Sequence, residues 1–130
     1  MKKDSALFAK LIMIVEDDEI LRECLVDYFA MNGAVATGCE NGEIAWKLIQ
    51  KQSFDAVICD MKMRSGDGVT LLKQIQHKSG HRPLTFICSG YHDLSMSDIQ
   101  KLGVQAVFTK PFDSIQLILE VGKAFLAKAA

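Results

Sequence analysis

Glu16 and Asp17 follow the apolar run Leu11-Ile12-Met13-Ile14-Val15, and Asp60 follows a second run, Ala56-Val57-Ile58-Cys59. Neither run alternates apolar with polar residues, which is the pattern of strands covered on both faces and so of a parallel sheet. Strands of that kind end at a common edge, and the spacing predicts three carboxylates crowded there. Two unit charges about 4 Å apart at an effective dielectric of about 20 repel by roughly 4 kcal/mol, so the crowding calls for a cation. Oxygen ligands select Mg²⁺, with Mn²⁺ as a substitute, and Mg²⁺ usually keeps several waters and takes up a phosphate oxygen. Phosphoryl chemistry is therefore what these residues point to. Two further polar residues close later apolar runs: Ser89 after Leu84 to Cys88, and Lys110 after Ala106 to Thr109. In this constellation Asp17, supported by Glu16 through water, holds the metal and Asp60 is the nucleophile. Lys110 supplies a point charge for one phosphoryl oxygen, and the Ser89 hydroxyl donates to another. Positioning and charge neutralisation of this sort supply nearly all the catalysis in phosphoryl transfer.

The elements that must carry these residues follow from periodicity. Strands are predicted near Lys10 to Val15, Ala34 to Gly38, Ala56 to Cys59, Leu84 to Cys88 and Ala106 to Thr109. Between them, Leu21, Cys24, Leu25, Tyr28 and Phe29 recur at helical spacing, and Asn32-Gly33 supplies a stop. Asn41 is a candidate N-cap for a second helix reaching about Lys51, with Ala45, Leu48 and Ile49 inward. A third, from about Gly68 to His77, buries Val69, Leu72 and Ile75; a weaker fourth runs from Leu94 to Leu102. The last, about Asp113 to Leu126, carries Ile115, Ile118, Leu119, Gly122, Phe125 and Leu126 on one face. Leu117 and Val121 fall outside that face, and the pattern offers them as apolar surface for a homodimer or another partner. Five strands alternating with five helices predict an α/β fold with a mainly parallel sheet and right-handed crossovers. Ligands in such sheets bind at the carboxyl ends of the strands, near a switch in strand order.

Composition limits the alternatives. A chain of 130 residues that is 49% hydrophobic fits a single domain, residues 1–130 with a core of about 10–127. Its formal net charge of -1 argues against direct nucleic-acid binding. The apolar runs are too short to span a membrane, and the opening Met-Lys-Lys-Asp-Ser lacks the apolar stretch of a signal peptide, so a cytoplasmic location is expected. The four cysteines show no metal or redox spacing and read as free thiols, Cys59 and Cys88 as small core hydrophobes. His77, His81 and His92 share no ligand spacing. Bland readings stand beside the chemical ones. Glu16 to Glu19 would also serve as the acidic first turn of a helix, Asp60 as a cap, Ser89-Gly90 as a turn and Lys110 as a solvated cation.

Four segments in order, Ile12-Met13-Ile14-Val15-Glu16-Asp17-Asp18, Asp60 through Gly66-Asp67-Gly68, Cys88-Ser89-Gly90 and Lys110-Pro111-Phe112, resemble the response-regulator receiver domain of two-component signalling. The resemblance runs from about Leu11 to Leu126. It implies a flavodoxin-like sheet of order 2-1-3-4-5, Asp60 as the site of aspartyl phosphorylation, and a histidine kinase or histidine phosphotransfer protein as donor. It further implies that the Lys62 main-chain carbonyl completes the metal ligands and that the Lys110–Pro111 bond is cis. Such a domain is a signalling switch rather than an enzyme, read by a downstream output protein or domain. No output domain follows Leu126, so the expectation is a stand-alone or an excised receiver.

Two positions depart from the family pattern. Arg64 stands where proline is usual, and Val107 where many receivers place an aromatic ring that swings inward with the hydroxyl residue. Lys62 and Tyr91 stand at positions that in this family flank the path of attacking water, so the resemblance implies a shielded, slowly hydrolysed acyl phosphate. Two other readings compete. A haloacid-dehalogenase-type phosphatase would carry a second acid where Lys62 stands, and a degenerate receiver would lack Asp60, Asp17 or Lys110.

Overall fold

The computed structural model describes residues 5–61, 63, 68–90 and 96–129. Strands and helices alternate: β1 Leu11–Val15, α1 Glu19–Met31, β2 Val35–Cys39, α2 Gly42–Lys51, β3 Ala56–Asp60, α3 Gly68–Gln76, β4 Leu84–Ser89, α4 Met96–Lys101, β5 Ala106–Thr109 and α5 Ser114–Ala129. The strands form one sheet in the order β2-β1-β3-β4-β5, every pair parallel. From β1 the chain moves outward to β2 and then crosses back to β3 on the other side. The connections leaving β1 and β3 therefore diverge and open a crevice at the carboxyl ends of these two strands.

Successive residues of a strand point to opposite faces, and the two apolar runs accordingly feed two cores. Met13, Val15, Val57, Cys59 and Ile87 meet Ala45 and Ile49 of α2 and Leu71, Leu72 and Ile75 of α3. Ile12, Ile14, Ala56, Ile58, Phe86 and Cys88 meet Leu25 and Phe29 of α1 and Leu117, Val121 and Phe125 of α5. Leu7, in the turn before β1, joins this second core; the short run Ala6-Leu7-Phe8-Ala9 that holds it forms neither a strand nor a helix, so periodicity does not place it. Local signals act where the sequence has them. Asp18 caps α1 by accepting from the Ile20 and Leu21 amides, Asn41 caps α2 by accepting from Ile44, and Gly33 takes the left-handed conformation after α1 at φ 94°.

Helix rotation is where the structure corrects the sequence reading. Leu117 and Val121 are 0% exposed, whereas Ile115 is 63%, Leu119 52% and Leu126 63% exposed. Neither Leu117 nor Val121 is available to a partner, and the apolar face expected to be inward is split: Gly122 and Phe125 are buried and Ile118 packs against the core, whereas Ile115, Leu119 and Leu126 point outward. The reason is that α5 carries two apolar stripes at helical spacing, and periodicity alone cannot say which one the sheet covers. Helix α1 shows a smaller version of the same effect: Leu25 and Phe29 are buried, but Cys24 and Tyr28 lie on the exposed side.

All four cysteines are free, and only Cys24 is exposed. Burial pushes the Cys39 thiol up to about 11 and the Cys88 thiol up to about 12, so neither offers an appreciable thiolate near neutral pH. Iodoacetamide at pH 8 is expected to modify Cys24 alone in the folded chain and all four in urea, counted by mass; modification of a second cysteine under native conditions contradicts this burial. For α5, Leu117→Ala is expected to cost about 2–5 kcal/mol in urea unfolding, and Leu119→Ala no more than about 0.5 kcal/mol. Equal losses would mean that the helix is rotated from the orientation described.

Candidate functional site

The crevice between β1 and β3 brings Glu16, Asp17 and Asp60 together. One carboxylate oxygen from each lies within 4.8 Å of the others, with Glu16 and Asp60 buried and Asp17 half-buried. Glu16 is held at every polar atom it has. Its amide donates to the Cys39 carbonyl at 3.0 Å, and its own carbonyl accepts from Arg22 Nη1 at 2.8 Å. Oε2 accepts from the Asp18 amide at 3.2 Å, and Oε1 accepts from Lys110 Nζ at 2.7 Å. The acidic run thus divides its work. Asp18 serves α1 as its cap, the bland role available to the whole run, while Glu16 and Asp17 turn toward the crevice.

Asp60 is the last residue of β3, a strand buried along its whole length. Its surroundings are shaped by a close approach. A Cβ placed on Gly68 would stand 2.3 Å from the Asp60 carbonyl oxygen and 2.8 Å from Met61 Cα, and the Gly68 amide donates to the Met61 carbonyl at 3.2 Å. The head of α3 therefore rests directly on the end of β3, which only a residue without a side chain allows. Ser89 closes β4 and is buried; its carbonyl accepts from the Lys110 amide at 2.6 Å. That bond ties the end of β5 to the end of β4, and Lys110 follows in a cis bond to Pro111.

Lys110 Nζ lies 2.7 Å from Glu16 Oε1 and 3.4 Å from Asp60 Oδ2. One cation thus faces two of the three carboxylates, so part of the repulsion expected from the sequence is met within the protein. Burial alone would lower the pKa of Lys110, but the hydrogen bonds and attraction from Glu16 and Asp60 outweigh it, and the ammonium is held above its ordinary value. Glu16 is pushed up, chiefly by burial, against the opposing hydrogen bonds from Lys110 and the Asp18 amide.

The donor set fits a hard divalent cation: carboxylate oxygens only, from two strand ends, with Asp17 reaching solvent. Lys62, Arg64 and Tyr91 lie outside the described residues. Val107 is 39% exposed on β5, opposite Ile87 of β4, and no ring occupies its place. Arg22 and Gly68 are contributors that residue types and spacing did not single out. For Arg22 a signal existed: a cation at the end of a helix's first turn opposes the macrodipole, so something other than helix stability holds it there. For Gly68 the Gly66-Asp67-Gly68 segment was legible, but the contact with Asp60 was not.

The fold agrees with the relatives that the chain resembles. A family model described as the response regulator receiver domain matches residues 12–122. The Regulator of RpoS from Escherichia coli K12 is 29% identical over 115 residues, covering 88% of this chain and 34% of that protein. The transcriptional regulatory protein RprY of Bacteroides fragilis is 27% identical over 110 residues, 85% of this chain and 47% of that protein. The chain spans less than half the length of these curated relatives. The receiver domain of the Francisella response regulator 1452 superposes with a TM-score of 0.81 at 26% identity, covering 92% of this chain and 98% of that one. With the acidic crevice at the switch point of a 2-1-3-4-5 parallel sheet and a family match over most of its length, this chain belongs to the response regulator receiver domain family of two-component signalling.

Proposed function

We propose that Asp60 accepts a phosphoryl group from a histidine kinase or histidine phosphotransfer protein in a Mg²⁺-dependent reaction, and that the phosphorylated form switches binding of a downstream output protein or domain in the cytoplasm. The observation that carries this reading is the setting of the Asp60 carboxylate: buried, clustered with Glu16 and Asp17, and 3.4 Å from the Lys110 ammonium. An Asp60 oxygen forms the new bond to phosphorus as the bond to the donor nitrogen breaks, and that nitrogen keeps the electron pair. A bound Mg²⁺ would supply charge neutralisation on the phosphoryl oxygens, with Asp17, Glu16 and Asp60 as the residues that hold it. The Lys62 carbonyl is the further ligand that the family pattern implies.

Lys110 keeps its proton and its charge throughout, because the neighbouring carboxylates favour the ammonium. A phosphoryl group on Asp60 adds an anion that competes with Glu16 for that ammonium, and Ser89, at the end of the adjoining strand, donates its hydroxyl to the same group. Drawing Lys110 and Ser89 toward Asp60 pulls on the ends of β5 and β4 together, since the Lys110 amide is bonded to the Ser89 carbonyl. The switch is then a shift in population between two arrangements of this edge. With valine at position 107, that shift is carried by the strand ends rather than by a rotating ring.

Incubation with Mg²⁺ and acetyl phosphate is expected to add one phosphoryl group by mass, with none added in Asp60→Asn or in excess EDTA. A mass that never changes, or a gain that survives in Asp60→Asn, overturns the proposal. Steady turnover of a phosphate ester would instead support the phosphatase reading. For the lifetime of the phosphorylated form, Lys62→Asn and Tyr91→Glu are expected to speed loss of the group several-fold, followed by mass after the donor is removed. Unchanged decay would show that these side chains do not shield it.

A further inference from the structure

Two residues beside the acidic crevice are each unfavourable by local rules, and one contact accounts for both. Arg22 is a cation at the end of the first turn of α1, where the helix dipole favours anions. Gly38 lies within the edge strand β2, where a residue without a side chain weakens the strand. A Cβ placed on Gly38 would stand 3.0 Å from Arg22 Cγ, 3.2 Å from Arg22 Cδ and 3.3 Å from Val26 Cγ2. The arginine stem therefore lies across the bare backbone of β2. From there Nη1 reaches the Glu16 carbonyl at 2.8 Å.

That carbonyl belongs to the peptide joining Glu16 to Asp17. The unit is planar, so fixing the direction of its carbonyl fixes the rotation that aims the two side chains on either side of it. The rest of Glu16 is already held by the Cys39 carbonyl, the Asp18 amide and Lys110. Arg22 supplies the remaining anchor, on the main chain directly before Asp17.

We infer that Arg22, seated on Gly38, is a positioning residue that orients the Glu16–Asp17 peptide so that its carboxylates are preorganised for a divalent cation. The inference rests on the proposed Mg²⁺ site and deepens it. It also makes a prediction opposite in sign to plain electrostatics. A nearby positive charge repels Mg²⁺, so removing it without any loss of orientation would tighten binding; if Arg22 acts by orientation, removing it weakens binding.

The test is a calorimetric Mg²⁺ titration of the wild type, Arg22→Met, Arg22→Lys, Gly38→Ala and the Arg22→Met/Gly38→Ala double variant. Thermal midpoints in EDTA are taken alongside, so that affinity is read only where each protein is folded. Arg22→Met is expected to bind Mg²⁺ about tenfold more weakly, the lower end of what loss of an outer hydrogen-bond partner costs a metal site. Gly38→Ala should weaken binding in the same direction with Arg22 still present, because the added methyl group displaces the stem. The double variant should be no weaker than Arg22→Met, since two residues acting through one contact are not additive. If Arg22→Met does not fold, Arg22→Lys and Gly38→Ala decide the matter by the same shift. Affinity in these variants equal to or tighter than wild type, with or without a lowered midpoint, overturns the inference. Wild-type protein that takes up neither Mg²⁺ nor a phosphoryl group refutes the functional proposal and this inference with it. Wild type that does both, beside variants indistinguishable from it in Mg²⁺ affinity, refutes this inference alone.

Discussion

The arrangement depends on placing three carboxylates in one crevice without the edge of the sheet flying apart. Glu16, Asp17 and Asp60 share that crevice, and Lys110 reaches across from β5 to meet Glu16 and Asp60. The ammonium offsets part of the repulsion and leaves the site net acidic among the described residues, which favours a further cation and then an anion bound to it. A site fully neutralised by its own lysines would have no use for Mg²⁺, and one with no lysine would hold Glu16 buried and uncompensated. Lys110 also links chemistry to architecture. Lys110 stands directly after β5, so a change in its partners is felt at the end of that strand.

Much of the site is made by backbone rather than side chains. β1 and β3 lie side by side in the middle of the sheet, and their parallel direction delivers both acidic ends to the same edge. The glycines at 68 and 38 mark where a second layer must approach more closely than a Cβ permits, α3 onto the end of β3 and the Arg22 stem onto β2. Both close approaches border the carboxylates. The cost of a glycine in an edge strand or at the head of a helix is accepted next to the site, where local preference is outweighed by the geometry the chemistry needs.

The outer face has a different character. Val107 is exposed and short, and Ile115 and Leu119 stand outward on the first turns of α5. Without an aromatic at 107, no large side chain there can exchange a buried for an exposed position. In the proposed switch, the link from Ser89 and Lys110 to this surface is the hydrogen bond between the ends of β4 and β5.

By itself the sequence determined the elements and which polar residues gather at one edge of the sheet. Unbroken apolar runs can only be satisfied with cover on both faces, so strands, parallel pairing and a shared edge for Glu16, Asp17, Asp60, Ser89 and Lys110 followed from residue types and spacing. The capping roles of Asn41 and the Asn32-Gly33 stop were equally local and equally legible. What only the tertiary structure decided are the relations between elements. α5 has two apolar stripes, and the sheet covers the one with Leu117 and Val121, because a helix alone has no reference for its rotation. Lys110 is paired with Glu16 as well as facing Asp60, which depends on where β5 lies relative to β1. Arg22 on Gly38 and Gly68 against Asp60 are contacts between residues whose separation in the chain carries no period, so no pattern in the sequence encodes them.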